Sequence, residues 1–214
     1  MAQASPMATP LPFGHQLAPP ISPSSSSHPY AELIGSLMYA MMCTRPDLAY
    51  PISMLAHFVG TGHHTEVHWK AAKRVLRYLR GTKDHALTLG GSSPPLLSGF
   101  SDSSWADSQP DRRSSHSYGF TLGSGLLSAP QPCPTLWCDN ASTIHLNQDP
   151  IYHARSKHIE LRYFFIRKLV QRGLLAVRKI AAKANLADIF TKALLRPAHS
   201  ALLRLIGLAR LGAP

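Results

Sequence analysis

Three aspartates stand where a metal site could be built. Asp102 closes the apolar run "LLSGFSD", Asp139 closes "TLWCDN", and Asp188 lies within "NLADIFTKAL". If the first two runs are neighbouring strands, their carboxylates come near one point. Asp188, on a helix after the last strand, can join them. Carboxylates gathered so closely repel one another unless a divalent cation neutralises them, which is why polynucleotide-cleaving sites cluster acids around two Mg²⁺ ions ~4 Å apart. In such sites one ion activates water and the other stabilises the leaving oxygen. Each aspartate also has an ordinary use, because strand-end Asp residues begin turns or cap helices, as Asp139 before "NAST" could. Taken singly, each fits that ordinary use better. The set is what suggests chemistry.

A second group is cationic. "EVHWKAAKRVLRYLR" reads as a helix closed by Gly81, with Val67, Ala71, Val75 and Leu79 on its apolar face. Lys70, Lys73, Arg74, Arg77 and Arg80 lie around the rest of it. A solvated face is the common explanation of such a charge run, and phosphate contact is the second. The whole chain has 22 Lys plus Arg against 11 Asp plus Glu, a formal charge of +11. That balance points to a polyanionic partner, nucleic acid before an anionic membrane.

The elements that must position these groups follow from local pattern. Residues 1–29, with "PPISPSSSSHP", read as a disordered Pro/Ser-rich tail. "YAELIGSLMYAMMC" and "RPDLAYPISMLAHF" precede the basic helix as two more helices. Thr44 and Asp47 resemble a capping box for the second of these. Pro51 inside it is expected to kink it or cost about 3 kcal/mol. From Leu96 the pattern changes to strands, "LLSGFSD", "SYGFTLG", "TLWCDN" and later "LLAVRKI". "ASTIHLNQ" reads as a short helix. "RSKHIELRYFFIRKLVQRG" reads as a longer one, with a stripe of Ile159, Tyr163, Ile166 and Val170 and with Gly173 at its end. Asn185 is placed to cap the helix that carries Asp188, and the tail "HSALLRLIGLARL" is amphipathic.

Composition narrows the rest. Cys43, Cys133 and Cys138 are three, with poor zinc spacing, and read as small buried apolar residues. The most apolar run, Leu33 to Cys43, is too short for a bilayer, which needs ~20 residues. No signal peptide is expected, and no transit peptide, since the first basic side chain is Arg45. An intracellular product with no membrane partner is the expectation.

Six stretches, "YAELIGSLMYAMMCTRPDLAYPISMLAHF", "HWKAAKRVLRYLRGT", "GFSDSSWADS", "LWCDNAST", "SKHIELRYFFIRK" and "NLADIFTKAL", occur in the order found at the end of copia-type retrotransposon Pol polyproteins. The chain resembles that family from Tyr30 to about Leu208. The resemblance implies an α+β fold. Residues 30–90 would be a helical thumb/connection segment and residues 96–208 an incomplete ribonuclease-H-like mixed sheet with helices. It also implies that Asp102 and Asp139 are catalytic carboxylates, that Asp188 is the last metal-binding acid, and that Glu160 in "KHIE" occupies a further acidic position ranked after the other three. Mg²⁺ would be the cofactor and an RNA–DNA hybrid the partner, with Lys70, Lys73, Arg74, Arg77, Arg112 and Arg113 contacting nucleic acid.

The chain departs from the family in two large ways. The Tyr-x-Asp-Asp hairpin of the polymerase palm is absent, so DNA synthesis is not expected of these residues. After the "YGF" strand the family has a third strand and a long helix bearing Ser-Ser-x-Glu-Ala-Glu-Tyr, whose glutamate is a metal ligand. Here the seven residues Ser128 to Pro134 stand in their place, a deletion that leaves an apolar sheet face uncovered. Pro51, and Lys179 where relatives often carry His or Tyr, are smaller signs of decay. The expected function is a Pol-derived remnant with impaired catalysis and residual nucleic-acid binding. The alternatives are an active Mg-dependent ribonuclease H, in which another acid replaces the lost ligand, and a non-catalytic nucleic-acid-binding module.

Overall fold

The computed structural model describes residues 4–15, 17, 28–59, 64–88, 97–104, 115–122, 133–141, 144 and 160–211. The first half of the chain forms α1 (Tyr30–Cys43), a 3₁₀ turn (Pro46–Leu48), α2 (Ala49–Ala56), α3 (Glu66–Gly81) and β1 (His85–Leu87). The second half forms β2 (Leu97–Ser104), β3 (Ser115–Leu122), β4 (Thr135–Cys138), α4 (Glu160–Gln171), β5 (Ala176–Lys179), α5 (Asp188–Thr191), α6 (Arg196–Leu205) and β6 (Leu208–Arg210). The fold is α+β. It divides into unit 1, Met1–Thr88, Ser103–Ser115 and Ile189–Pro214, and unit 2, Leu89–Asp102 and His116–Asp188.

Unit 1 packs α1, α2 and α3 around Ile34, Leu37, Leu48, Ile52, Leu55, Val75 and Tyr78. Each such side chain contributes about 1.5–3 kcal/mol by leaving water. Its elements differ from local expectation wherever a buried charge intervenes. Thr44 ends α1 and caps nothing beyond it. Asp47, expected in a capping box, is 1% exposed and takes both Arg45 Nε, at 2.9 Å, and Arg45 Nη2, at 2.8 Å. A bidentate guanidinium is a stronger partner for a buried carboxylate than a neutral backbone amide. Pro51 neither kinks nor breaks α2, because the preceding residues tighten into the 3₁₀ turn and α2 starts at Ala49. That leaves Pro51 in the first turn, where an N–H would have no intrahelical partner.

On α3 the buried face is His68, Ala71, Ala72, Val75 and Tyr78, turned from the expected stripe so that Val67 is 58% exposed. The reciprocal cap is present with an unusual acceptor, the Thr65 amide donating to His68 Nδ1 at 3.0 Å. Residues 4–15, read from composition as part of a disordered tail, lie along α3, and Leu11 and Leu17 enter the core at 2% and 3% exposure. The other residues of that tail up to Ser27 and the bridge at 128–132 lie outside the described residues. Of the three cysteines only Cys138 is buried, and Cys43 and Cys133 are exposed. β1 pairs antiparallel with β6, His85 opposite Arg210. The residues after Asp188 cluster with unit 1.

Unit 2 is built on a four-stranded sheet of order β3-β2-β4-β5. β2 and β4 run parallel from Ser98–Thr135 to Ser101–Cys138, and β4 and β5 run parallel from Thr135–Ala176 to Cys138–Lys179. On one face Ile166 and Val170 of α4 pack with Leu136, Cys138, Ile144 and Val177. Of the short helix expected from Ala141, Ala141 and Ile144 are described, and both are helical. α4 is followed by Gly173 at φ 66°, a left-handed conformation that glycine adopts without strain. Over β2 and β3 the same face is thin. A Cβ at Gly99 would lie 2.9 Å from both Leu136 Cδ1 and Phe120 Cε1. Phe120 and Tyr118, two residues apart on β3, are 63% and 75% exposed.

Candidate functional site

Strand register brings the first two aspartates together. Ser101 pairs with Cys138 across parallel strands, so Asp102 and Asp139, the next residue on each chain, leave at the same level. Neighbouring strands are ~4.8 Å apart, and residues at the same level of the pleat point to the same face. That face is opposite the one covered by α4, which takes Leu136 and Cys138. Asp102 does not close its strand as the sequence suggested. It lies inside β2, which continues to Ser104. Asp139 follows β4 directly.

Asp188 arrives from a turn rather than from a long helix, since α5 spans only Asp188–Thr191. A side chain that sequence reading assigned only to capping fixes that turn. Asn185 is fully buried, and its Oδ1 accepts from the Ala187 amide at 3.2 Å, as a capping side chain would. Its Nδ2 also donates to the Ser101 carbonyl at 3.0 Å, one residue before Asp102. Ser117 Oγ on β3 donates to the Ala187 carbonyl at 3.0 Å. The residue before Asp188 is thus tied to both β2 and β3. Asn185 and Ser117 are positioning residues, and their long-range bonds leave no trace in local sequence pattern.

The outcome is a trio of carboxylates. One ligand oxygen each of Asp102, Asp139 and Asp188 lies within 4.8 Å of the others. Asp102 and Asp188 are 6% and 8% exposed, and Asp139 is half-buried, which leaves a side open to solvent. Two oxygens on one Mg²⁺ at ~2.1 Å are at most ~4.2 Å apart, and two on one Ca²⁺ at ~2.5 Å at most ~5 Å apart. Three oxygens on one ion can be equally spaced at no more than ~3.6 Å for Mg²⁺ and ~4.3 Å for Ca²⁺, so a trio within 4.8 Å holds one hard divalent cation after drawing in by up to about 1 Å. Glu160 is the first residue of α4, and its side chain lies outside the described residues.

The cations of α3 belong to unit 1 and the trio to unit 2. Lys70 is exposed on α3, and Lys73 lies 5.7 Å over the Trp69 ring and 3.9 Å from Glu66. Arg74 and Arg77 donate to residues of the 4–15 segment. Arg112 and Arg113 lie outside the described residues. No helix among the described residues is long and apolar enough to cross a membrane.

No protein-family model matches the chain, and no solved structure matches it. Curated relatives do. The chain is 33% identical to the "Retrovirus-related Pol polyprotein from transposon TNT 1-94" of Nicotiana tabacum, over 97% of this chain and 19% of that protein. It is 32% identical to the "Retrovirus-related Pol polyprotein from transposon RE2" of Arabidopsis thaliana, over 98% of this chain and 17% of that protein. Over 100 residues it is 41% identical to the "Secreted RxLR effector protein 161" of Plasmopara viticola, 47% of this chain and 69% of that protein. The chain thus spans less than a fifth of the transposon relatives' length. Both transposon alignments extend over 254 positions, 40 more than the 214 residues of this chain, so each opens gaps in it totalling at least 40 positions.

Proposed function

Because the chain belongs to the retrovirus-related Pol polyproteins of copia-type transposons, we propose that unit 2 is the remnant of a ribonuclease H domain. In this reading its aspartates still bind a divalent cation, and hydrolysis of an RNA–DNA hybrid has fallen to a trace. The observation that carries the reading is the convergence of Asp102, Asp139 and Asp188 from two parallel strands and the turn after a third. The excess of alignment positions over the chain's own length agrees with a lost segment, which the sequence motifs put between β3 and β4. The exposed pair Tyr118 and Phe120 agrees with a sheet face that has lost a covering helix.

Bound Mg²⁺ supplies positive charge against the carboxylates and against the phosphodiester. The chain's own residues do the rest. Asp102 and Asp188, being buried, hold fixed positions. Asp139, being half-buried, faces the substrate side. Asn185 and Ser117 keep Asp188 from drifting away from Asp102. Three carboxylates define one ion well, but a second ion at ~4 Å needs further ligands. Loose ligand geometry lowers catalytic rate steeply. Nucleic acid is held by Lys70, Lys73, Arg74, Arg77, Arg112 and Arg113 through phosphate contacts that weaken with salt.

Calorimetric titration of the purified chain with Mg²⁺ and Mn²⁺ tests the first half. The expected result is one weak site lost on Asp102→Asn, and absence of binding removes the reading. A cleavage assay on a labelled RNA–DNA hybrid tests the second half. The same convergence of carboxylates favours one rival, an active ribonuclease H in which Glu160 or another acid completes the set. Rapid cleavage in Mg²⁺, abolished by Asp139→Asn, establishes that rival and ends the impaired reading. Binding without any metal site or cleavage leaves the plain nucleic-acid-binding module.

A further inference from the structure

We propose that the arginine row of α3 is a phosphate-backbone site held shut by residues 4–9, a strap that nucleic acid displaces. The proposal rests on the reading of α3 as a nucleic-acid contact and adds its regulation. Arg74, Arg77 and Arg80 recur every three residues, a rise of ~4.5 Å per step. Guanidiniums in series suit the serial charges of a backbone better than a single anion.

In the structure this row is engaged by the chain itself. Arg77 Nε donates to the Ser5 carbonyl at 2.7 Å, and Arg80 Nη1 donates to the Ala4 carbonyl. Arg74 Nη2 donates to Thr9 Oγ1 at 3.2 Å, and the Met7 amide donates back to the Arg77 carbonyl at 3.2 Å. Residues 4–15 contain no Asp or Glu, so these bonds satisfy donors without neutralising charge. Arg74 is held below its usual range by burial and by the nearby Arg77, which a polyanion would reverse. Hydrogen bonds to a charged phosphate are roughly twice as strong as those to neutral oxygens. The strap is therefore a weaker ligand than the one it excludes.

The strap also has a fixed end and a loose one. Leu11 and Leu17 are buried in the core, whereas Ser5, Pro6 and Ala8 are exposed. Gly81 lets the loose part lie close, because a Cβ there would sit 3.0 Å from Pro6 Cβ and 3.3 Å from the Met7 carbonyl. A membrane partner fits less well. The apolar residues beside the row, Ala71, Val75 and Tyr78, are buried and offer nothing to insert into lipid.

Fluorescence anisotropy with a 20-mer RNA–DNA hybrid, using the full chain, tests the proposal. Gly81→Val, which expels the strap and leaves every arginine in place, is expected to tighten binding about tenfold. It is also expected to steepen the salt dependence by roughly one to three released ions. Thr9→Asp, which adds a carboxylate beside Arg74, is expected to weaken binding by a similar factor. Arg77→Gln should abolish the gain. Hydrogen exchange at the Met7 amide, expected to quicken when the hybrid binds, reads strap release directly. If Arg77→Gln leaves the affinity of Gly81→Val unchanged, α3 is not the contact and the underlying reading fails. If Arg77→Gln weakens binding but Gly81→Val neither tightens it nor frees Met7, the strap alone is refuted. Binding to phosphatidylserine vesicles without binding to the hybrid overturns the choice of partner.

Discussion

The two units bury acidic side chains to opposite electrostatic ends. In unit 1 Asp47 is enclosed with its counter-charge, bidentate to Arg45 and accepting from Tyr78 Oη at 2.5 Å, while Arg45 Nη2 reaches Thr82 Oγ1 at 2.8 Å. Burial and the neighbouring Asp47 push the Tyr78 hydroxyl well above its ordinary range, so it stays a donor. In unit 2 Asp102 and Asp188 are buried beside a third carboxylate. The first arrangement is charge-balanced within the folded chain. The second brings like charges close together, an arrangement that a bound cation would stabilise. The difference teaches that burial alone does not single out a candidate functional acid, and that convergence of like charges is the feature to look for.

The largest expected effect tests the structural acid. Asp47→Asn leaves the Arg45 charge buried without its partner, and breaking such a pair costs about 3–5 kcal/mol. Urea denaturation followed by the fluorescence of Trp69 should show unit 1 unfolding at much lower denaturant. A cost below about 1 kcal/mol would erase the contrast between the units.

The next test sharpens the other side. Like charges ~5 Å apart repel by roughly 1–3 kcal/mol at effective dielectric constants between those of water and a protein surface. Asp139→Asn, in the absence of divalent cations, should therefore stabilise unit 2 by an amount in that range. Excess Mg²⁺ should stabilise the parent chain and not the variant. Melting both with chelator and with Mg²⁺ reads the difference, and a destabilised Asp139→Asn would show that the carboxylate is held by other partners.

A smaller effect is expected at Asn185→Ala. Two hydrogen bonds are lost, about 1–2 kcal/mol in total, and Asp188 is freed from Asp102. The informative readout is cation affinity, which should fall more than stability does. The smallest effect returns to unit 1. His199 is 3% exposed, packs edge-on to Tyr78 with ring centroids 5.5 Å apart, and has neither ring nitrogen hydrogen-bonded among the described residues. Burial lowers its pKa, with Asp47 opposing and Arg45 adding to the shift. The unfolded chain takes up the proton first, so stability is full above about pH 6.5 and declines as pH falls through the lowered folded value. His199→Leu should flatten that acid limb in pH-dependent melts and leave the neutral-pH melting temperature nearly unchanged.

Local pattern carried much of this protein. Periodicity located α1, α3, α4 and the four strands of the sheet. Apolar runs ending near acids marked Asp102 and Asp139, and the basic run marked α3. Where prediction and structure part, the cause is a long-range partner. Asp47 left its cap for Arg45 and Tyr78. Pro51 was absorbed because a 3₁₀ turn moved the start of α2. Residues 4–15 were ordered by arginines some 70 positions away in the chain.

The sequence by itself determined which side chains could do chemistry, because type and spacing are local properties. Only the tertiary structure decided which of them meet. The Ser101–Cys138 register, the bonds of Asn185 to Ser101 and Ala187, and the lie of residues 4–9 on α3 all join segments far apart in the chain. A shift of one residue in that register would send the two strand aspartates to opposite faces of the sheet. Pairings of this kind are set by shape and burial, which no periodicity along a single segment encodes.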